Sequence, residues 1–186
     1  MKLNRSFIVS LVLLIIVAAL YRVIPSRPWG FAPHIAMAIF GGAVIRDRKW
    51  AFALPVFSMF LSDALYQVLY VNGLSSIPGF YEGQVTNYLM FAGLTLVGFA
   101  IRKVSVANVA LASLAAPVLY FLVSNFAVWV SGGGFNRPRT MSGLLQCYAD
   151  GLPFFQGSLM ATVFFSAVLF GAYYVVQQKQ ENKAIA

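Results

Sequence analysis

A chain of 186 residues that is 60% hydrophobic and 10% charged, with a mean hydropathy of +0.79, is excluded from the soluble globular class, where about a quarter of residues are charged. The net charge of +8 does not point to nucleic acid, because the 13 Lys and Arg residues are scattered in ones, twos and threes between apolar runs rather than gathered on a face. The single cysteine, Cys147, excludes an intrachain disulfide and any Cys-x-x-Cys redox or metal motif.

Lys2 and Arg5 precede an apolar stretch that starts at Phe7 and runs uncharged to Tyr21, the layout of a signal peptide. No small-x-small cleavage site stands before Arg22, so an uncleaved first helix is expected. Apolar runs bounded by charge, Gly and Pro then place spans near 7–24, 29–45, 50–71, 86–101, 106–130 and 152–176. All are expected to be helical, since open strands cannot satisfy their backbone polar groups in lipid. The fold expected is all-α, a polytopic membrane protein of six transmembrane helices. No linker rich in Pro, Gly or Ser divides it, and residues 1–186 read as one domain ending in the polar segment QQKQENKAIA, a frayed helix end.

Alternating the spans across the membrane puts Lys2, Arg5, Arg46, Arg48, Lys49, Arg102, Lys103, Lys179 and Lys183 on one side. Arg22, Arg27, Arg137 and Arg139 fall on the other. Nine against four predicts cytoplasmic termini, with residues 72–85 and 131–151 outside.

Under that topology the polar residues within the spans concentrate in the outer half. Arg22 ends the first span and His34 begins the second; Thr86 and Asn87 open the fourth; Ser124, Asn125 and Trp129 close the fifth; Gln156 and Ser158 open the sixth. Asp63 lies eight residues before the outer end of the third, roughly 12 Å deep. Asp63, Tyr66, Gln67 and Tyr70 recur at helical spacing on one face, which Met59 extends inward. One-sided polarity argues for a pocket open to the exterior rather than a pore, which needs polar groups at every depth. Aromatic area with a few hydrogen-bonding groups suits a small-molecule site. The competing reading is interhelical glue, with the tyrosines in an interfacial belt. For Asp63, Arg22 is the first expected partner, and Asn125 and Gln156 are the next.

The loop SGGGFNRPRTMSGLLQCYADGLP combines three glycines with Arg137 and Arg139 around Pro138 and leads to Cys147 and Tyr148, so it could form a lid. The two arginines fit either a ligand carboxylate or phosphate, or lipid headgroups. Gly132–Gly134 lack the Gly-Lys-Ser/Thr ending of a phosphate loop. Catalysis finds little footing: His34 is the single histidine, and no Gly-x-Ser-x-Gly motif supplies a nucleophile. A metal site would need His34, Cys147 and Asp63 from three distant segments; packing roles for His34 and Cys147 are favoured, and no cofactor is expected.

Three stretches, RPWGFAPHIAMAIFGGAVI with the following Pro55 and SDALYQ, then SNFAVWV, then RPRTMSGLLQCYADGLPFFQGSLMATVFFSAVLFG, resemble a bacterial family of small polytopic membrane proteins of unknown function. More distantly the chain is similar to the S components of energy-coupling-factor vitamin transporters. That resemblance implies an S-component-like bundle of six helices in the bacterial cytoplasmic membrane, taking a vitamin or metal ion from outside, with an energising membrane partner. The Ala-x-x-x-Ala coupling signature of S components is not present on the first helix, which offers Ser6-x-x-x-Ser10 instead.

The function expected is a small-molecule-binding membrane transport protein of the vitamin or micronutrient type, not an enzyme. The expected ligand-binding set is Arg22, His34, Asp63, Tyr66, Gln67, Asn87, Asn125, Trp129, Arg137, Arg139, Tyr148 and Gln156. The alternative is a structural or assembly subunit of a larger membrane complex. The lipid bilayer is a partner in either case, and nucleic acid in neither.

Overall fold

The computed structural model describes the backbone of residues 5–185 and the side chains of residues 8–179. Lys2 and the side chains of Arg5 and Lys183, used in the charge count, lie outside the described residues. The chain is all-α, with α1 Arg5–Arg22, α2 His34–Val44, α3 Arg48–Val71, α4 Gln84–Phe99, α5 Val106–Ser131 and α6 Met141–Ile185. Three of these, α3, α5 and α6 over Met141–Lys179, are long and apolar enough to cross a membrane, which marks the chain as a membrane protein. α2 is not: its 11 residues rise about 16 Å, half of a bilayer's hydrocarbon core.

Helix boundaries follow local chemistry. Asp47 caps α3 by accepting from the Lys49 amide at 3.0 Å, and Ser105 caps α5 by accepting from the Asn108 amide at 3.3 Å. Gly132, at φ +77°, ends α5 in the left-handed conformation that a side chain disfavours. The second helix starts at His34 rather than near residue 29, because Pro28 and Pro33 break the segment before it.

The largest departure from the sequence reading is α6. Residues 141–151, expected as outer loop, are helical and continue through Pro153. Thr140 starts the helix, its hydroxyl accepting from the Gly143 amide at 3.2 Å and its carbonyl from the Leu144 amide at 2.9 Å. Asp150, inside this helix, is neutralised by a bidentate pair with Arg137 at 2.8 and 2.9 Å. The connection between α5 and α6 therefore shrinks to residues 132–140.

α2 is the axis of the bundle. It packs against α3, α4, α5 and α6, and every residue from His34 to Gly41 is buried. α1 packs on α3, and α5 on α6 and α4. The crossing of α2 and α4 is a backbone contact: a Cβ at Gly42 would strike the Thr95 carbonyl and, at 2.8 Å, the Gly98 Cα. Small residues let helices approach where lipid supplies no hydrophobic drive between them.

Candidate functional site

Two polar assemblies occupy the same end of the bundle and meet at Arg22. The first is centred on Asp63, 1% exposed. Arg22, at the last turn of α1, reaches across to α3 and forms an ion pair with Asp63 Oδ1, while the same Nη1 donates to Ser62 Oγ at 2.6 Å. Asp63 Oδ2 accepts from Gln84 Nε2 at 2.8 Å and from the Tyr88 hydroxyl at 2.7 Å, both on α4. Tyr66 closes the set by donating its hydroxyl to the Arg22 carbonyl at 2.8 Å, with the guanidinium 5.5 Å from its ring centroid. Gln67, one residue on, accepts from the amides of Gly79 and Phe80 at 3.1 and 3.3 Å and so pins the α3–α4 connection to α3. A carboxylate with one cation and two neutral donors is fully satisfied, so this assembly ties α1, α3 and α4 together.

The second assembly lines a cavity of about 610 Å³. Its walls come from the end of α1, the 27–32 segment, the start of α2, Met59 of α3, Asn87 and Phe91 of α4, residues 117–128 of α5 and residues 147–158 of α6, with Ile77, Gly134 and Phe135 from the connections. Aromatic rings dominate it in pairs: Trp29 stacked on Phe154 at 5.4 Å, Phe91 against Tyr120 at 5.0 Å, Phe121 against Phe155 at 4.8 Å. Tyr120 donates to Asn87 Oδ1 at 2.8 Å, and Asn87 Nδ2 donates to the Tyr81 hydroxyl at 2.9 Å. Asn125 donates to the Phe121 carbonyl one turn back at 2.8 Å. His34 is 1% exposed; its Nε2 lies 3.1 Å from Ser58 Oγ, and its Nδ1 has no hydrogen-bond partner among the described residues.

The charges around the cavity are unequal. Arg22 is compensated by Asp63, and Asp150 by Arg137. Arg27 instead donates to backbone carbonyls, those of Arg22 at 3.3 Å and Phe31 at 2.9 Å, and belongs to neither ion pair among the described residues. The cavity thus carries an excess of one positive charge. The wall offers hydrogen bonding, aromatic contact and one cation, and no group of three metal-ligating side chains occurs among the described residues.

Of the residues singled out in the sequence, Arg22, His34, Asn87 and Asn125 line the cavity. Asp63, Tyr66 and Gln67 belong to the helix-tying assembly beside it, and only Met59 of that stripe reaches the wall; Tyr70 is exposed. Trp129 donates to the Pro138 carbonyl at 2.9 Å, and Tyr148 donates to the Leu122 carbonyl at 3.1 Å while backing Phe121 at 5.6 Å. Arg137 is held by Asp150, a hydrogen bond that raises its pKa further; Arg139 and Gln156 are exposed and outside the wall. Asn125 and Gln156, expected as alternative donors to Asp63, are replaced by Gln84 and Tyr88. Sequence reasoning missed Arg27, Trp29, Tyr120, Phe121 and Phe155. Arg27 and Trp29 follow Pro25 in a segment counted as connection and span, and the three rings sit in runs that lipid contact explains equally well.

Compared with known families, residues 1–184 match the model of a family of unknown function, DUF6580. The chain belongs to that family. No curated protein and no solved structure matches the DUF6580 chain, and the distant resemblance to S components thus finds no support among the comparisons. The family match spans both polar assemblies of the DUF6580 chain.

Proposed function

We infer that this chain is a membrane transport protein that binds a small organic molecule in the aromatic cavity. The observation that carries the reading is the cavity itself: about 610 Å³, walled by paired aromatic rings, with a few polar groups and one cation not compensated by an acid among the described residues. Ligand sites are of this size and composition, largely apolar with sparse polar groups that fix orientation. The reading is one of binding and passage rather than catalysis. The neighbouring Asp63 assembly holds the wall and meets the cavity through Arg22 alone among its members.

In this proposal all six helices lie in the bacterial cytoplasmic membrane, α2 as a half-span enclosed by the others. The nine-to-four distribution of Lys and Arg supports cytoplasmic termini, which turns the cavity outward. Gly132–Gly134 do not form a phosphate-binding loop, so uptake against a gradient would draw on an energising membrane partner or on a coupled ion gradient.

A structural or assembly subunit is the second reading, and the satisfied Asp63 assembly favours it, since three helices tied by one carboxylate serve stability without any ligand. Native mass spectrometry of gently extracted protein separates the two. Retention of one defined small molecule, lost in Tyr120→Ala with the helical fold intact, supports the transport reading. A bare chain in all preparations, with cysteines at 121 and 155 in a Cys147→Ala background refusing aqueous thiol reagents, sinks it.

A further inference from the structure

Reading the cavity as a ligand site leaves the ligand's chemistry open, and three features at one end of the wall narrow it. α2 begins inside the bundle at His34, preceded by Pro33, with no side-chain cap and no acidic residue in its first turn. The Pro33 carbonyl accepts from the Met37 amide, so the amides of His34, Ile35 and Ala36 have no acceptor within the helix. Ala32, His34 and Ile35, which surround this end, all line the cavity. A helix start carries roughly half a positive charge and is a ready anion site.

The second feature is the fully buried His34 on the same wall, whose Nδ1 is unpartnered among the described residues. In the tautomer in which the Ser58 hydroxyl donates to Nε2, Nδ1 carries the proton and is a donor in want of an acceptor. The third is Arg27, the cation of the cavity that no carboxylate compensates among the described residues. Asp63 is engaged by Arg22 and Asp150 by Arg137, so among the described residues neither of these acids is left to pair with a cationic ligand.

We propose that the cavity binds a planar aromatic monocarboxylate, with the carboxylate at the start of α2 between Arg27 and His34 and the ring among Phe91, Tyr120, Phe121 and Phe155. This rests on the cavity being a ligand site, as argued above. One full cation plus a helix end matches a single negative charge; a phosphate dianion would exceed it. The aromatic pairs supply flat apolar area on both sides of a ring.

The test uses three probes of one shape and different charge: 2-naphthoate, 2-naphthamide and 2-naphthylmethylammonium. Their binding to the full chain in nanodiscs is measured by equilibrium dialysis at neutral pH, with empty nanodiscs subtracted. The carboxylate is expected to bind about tenfold more tightly than the amide, the size of a charge-assisted hydrogen bond, and the ammonium most weakly. Arg27→Gln should abolish the preference for carboxylate over amide, and Arg27→Lys should keep it. Equal binding of amide and carboxylate, or a preference that survives Arg27→Gln, overturns the anion assignment and leaves the cavity reading standing. Failure of all three probes overturns the aromatic class, and the retained-molecule measurement then judges the cavity reading alone.

Discussion

Arg22 at the end of α1 and Asp63 in α3 form a buried ion pair, 41 residues apart in the chain, with Gln84 and Tyr88 of α4 completing the carboxylate's shell. Removing one member of such a pair leaves the other charge buried without compensation, at a cost of about 3–5 kcal/mol. Asp63→Leu and Arg22→Met should each lower thermal stability in detergent strongly. The double variant should be more stable than either single one, because no orphan charge remains. Asp63→Asn should fall between wild type and Asp63→Leu, since its amide oxygen can still accept from Gln84 and Tyr88. A double variant as unstable as the worse single variant would contradict this account.

Arg137 and Arg139 separate cleanly. Arg137 restrains Asp150, which lines the cavity, whereas Arg139 is exposed. Arg137→Gln should release a negative charge toward the cavity and weaken an anionic ligand several-fold, and Arg137→Gln with Asp150→Asn should restore binding. Arg139→Gln should change little beyond the dependence on lipid headgroups. Dialysis with 2-naphthoate across the three variants, in neutral and anionic nanodiscs, checks the pattern.

The α2–α4 crossing admits no added side chain. A Cβ at Gly98 would meet the Ile39 carbonyl and the Gly42 Cα, both backbone atoms of α2. Gly98→Ala should destabilise by about 1–3 kcal/mol through overpacking, and Gly98→Leu by more. Gly93 on the same helix has open space at its Cβ, so Gly93→Ala should be neutral or stabilising. Melting temperatures in detergent of the two alanine variants, compared side by side, decide the matter.

The proposed topology predicts that a tag placed after residue 186 is reached by protease only after the cells are opened, while a cleavage site inserted in residues 72–83 is cut in intact cells. The reverse pattern would turn the cavity to the cytoplasm and remove the case for capture from outside.

Composition alone established that the chain belongs in a membrane, because transfer of apolar side chains from water is additive and needs no knowledge of their neighbours. Sequence also sufficed to name Arg22 as the partner of Asp63. A carboxylate below the membrane surface must find a cation, and Arg22 is the one whose helix end brings it to that depth. What tertiary structure decided is which way each helix face turns. Lipid is as apolar as a protein interior, so an apolar residue pattern does not distinguish the wall of a cavity from the outside of the bundle. That is why Tyr120, Phe121 and Phe155 were indistinguishable from lipid-facing rings until packed, and why Asp63 turned to α4 and α1 rather than to the cavity one helix face away. The early start of α6 was hidden for a related reason. Residues 141–151 read as loop after the glycines and Pro138, and the Arg137–Asp150 pair that lets their charge sit in a helix exists only when residues 13 apart in sequence are brought together by the turn at Thr140.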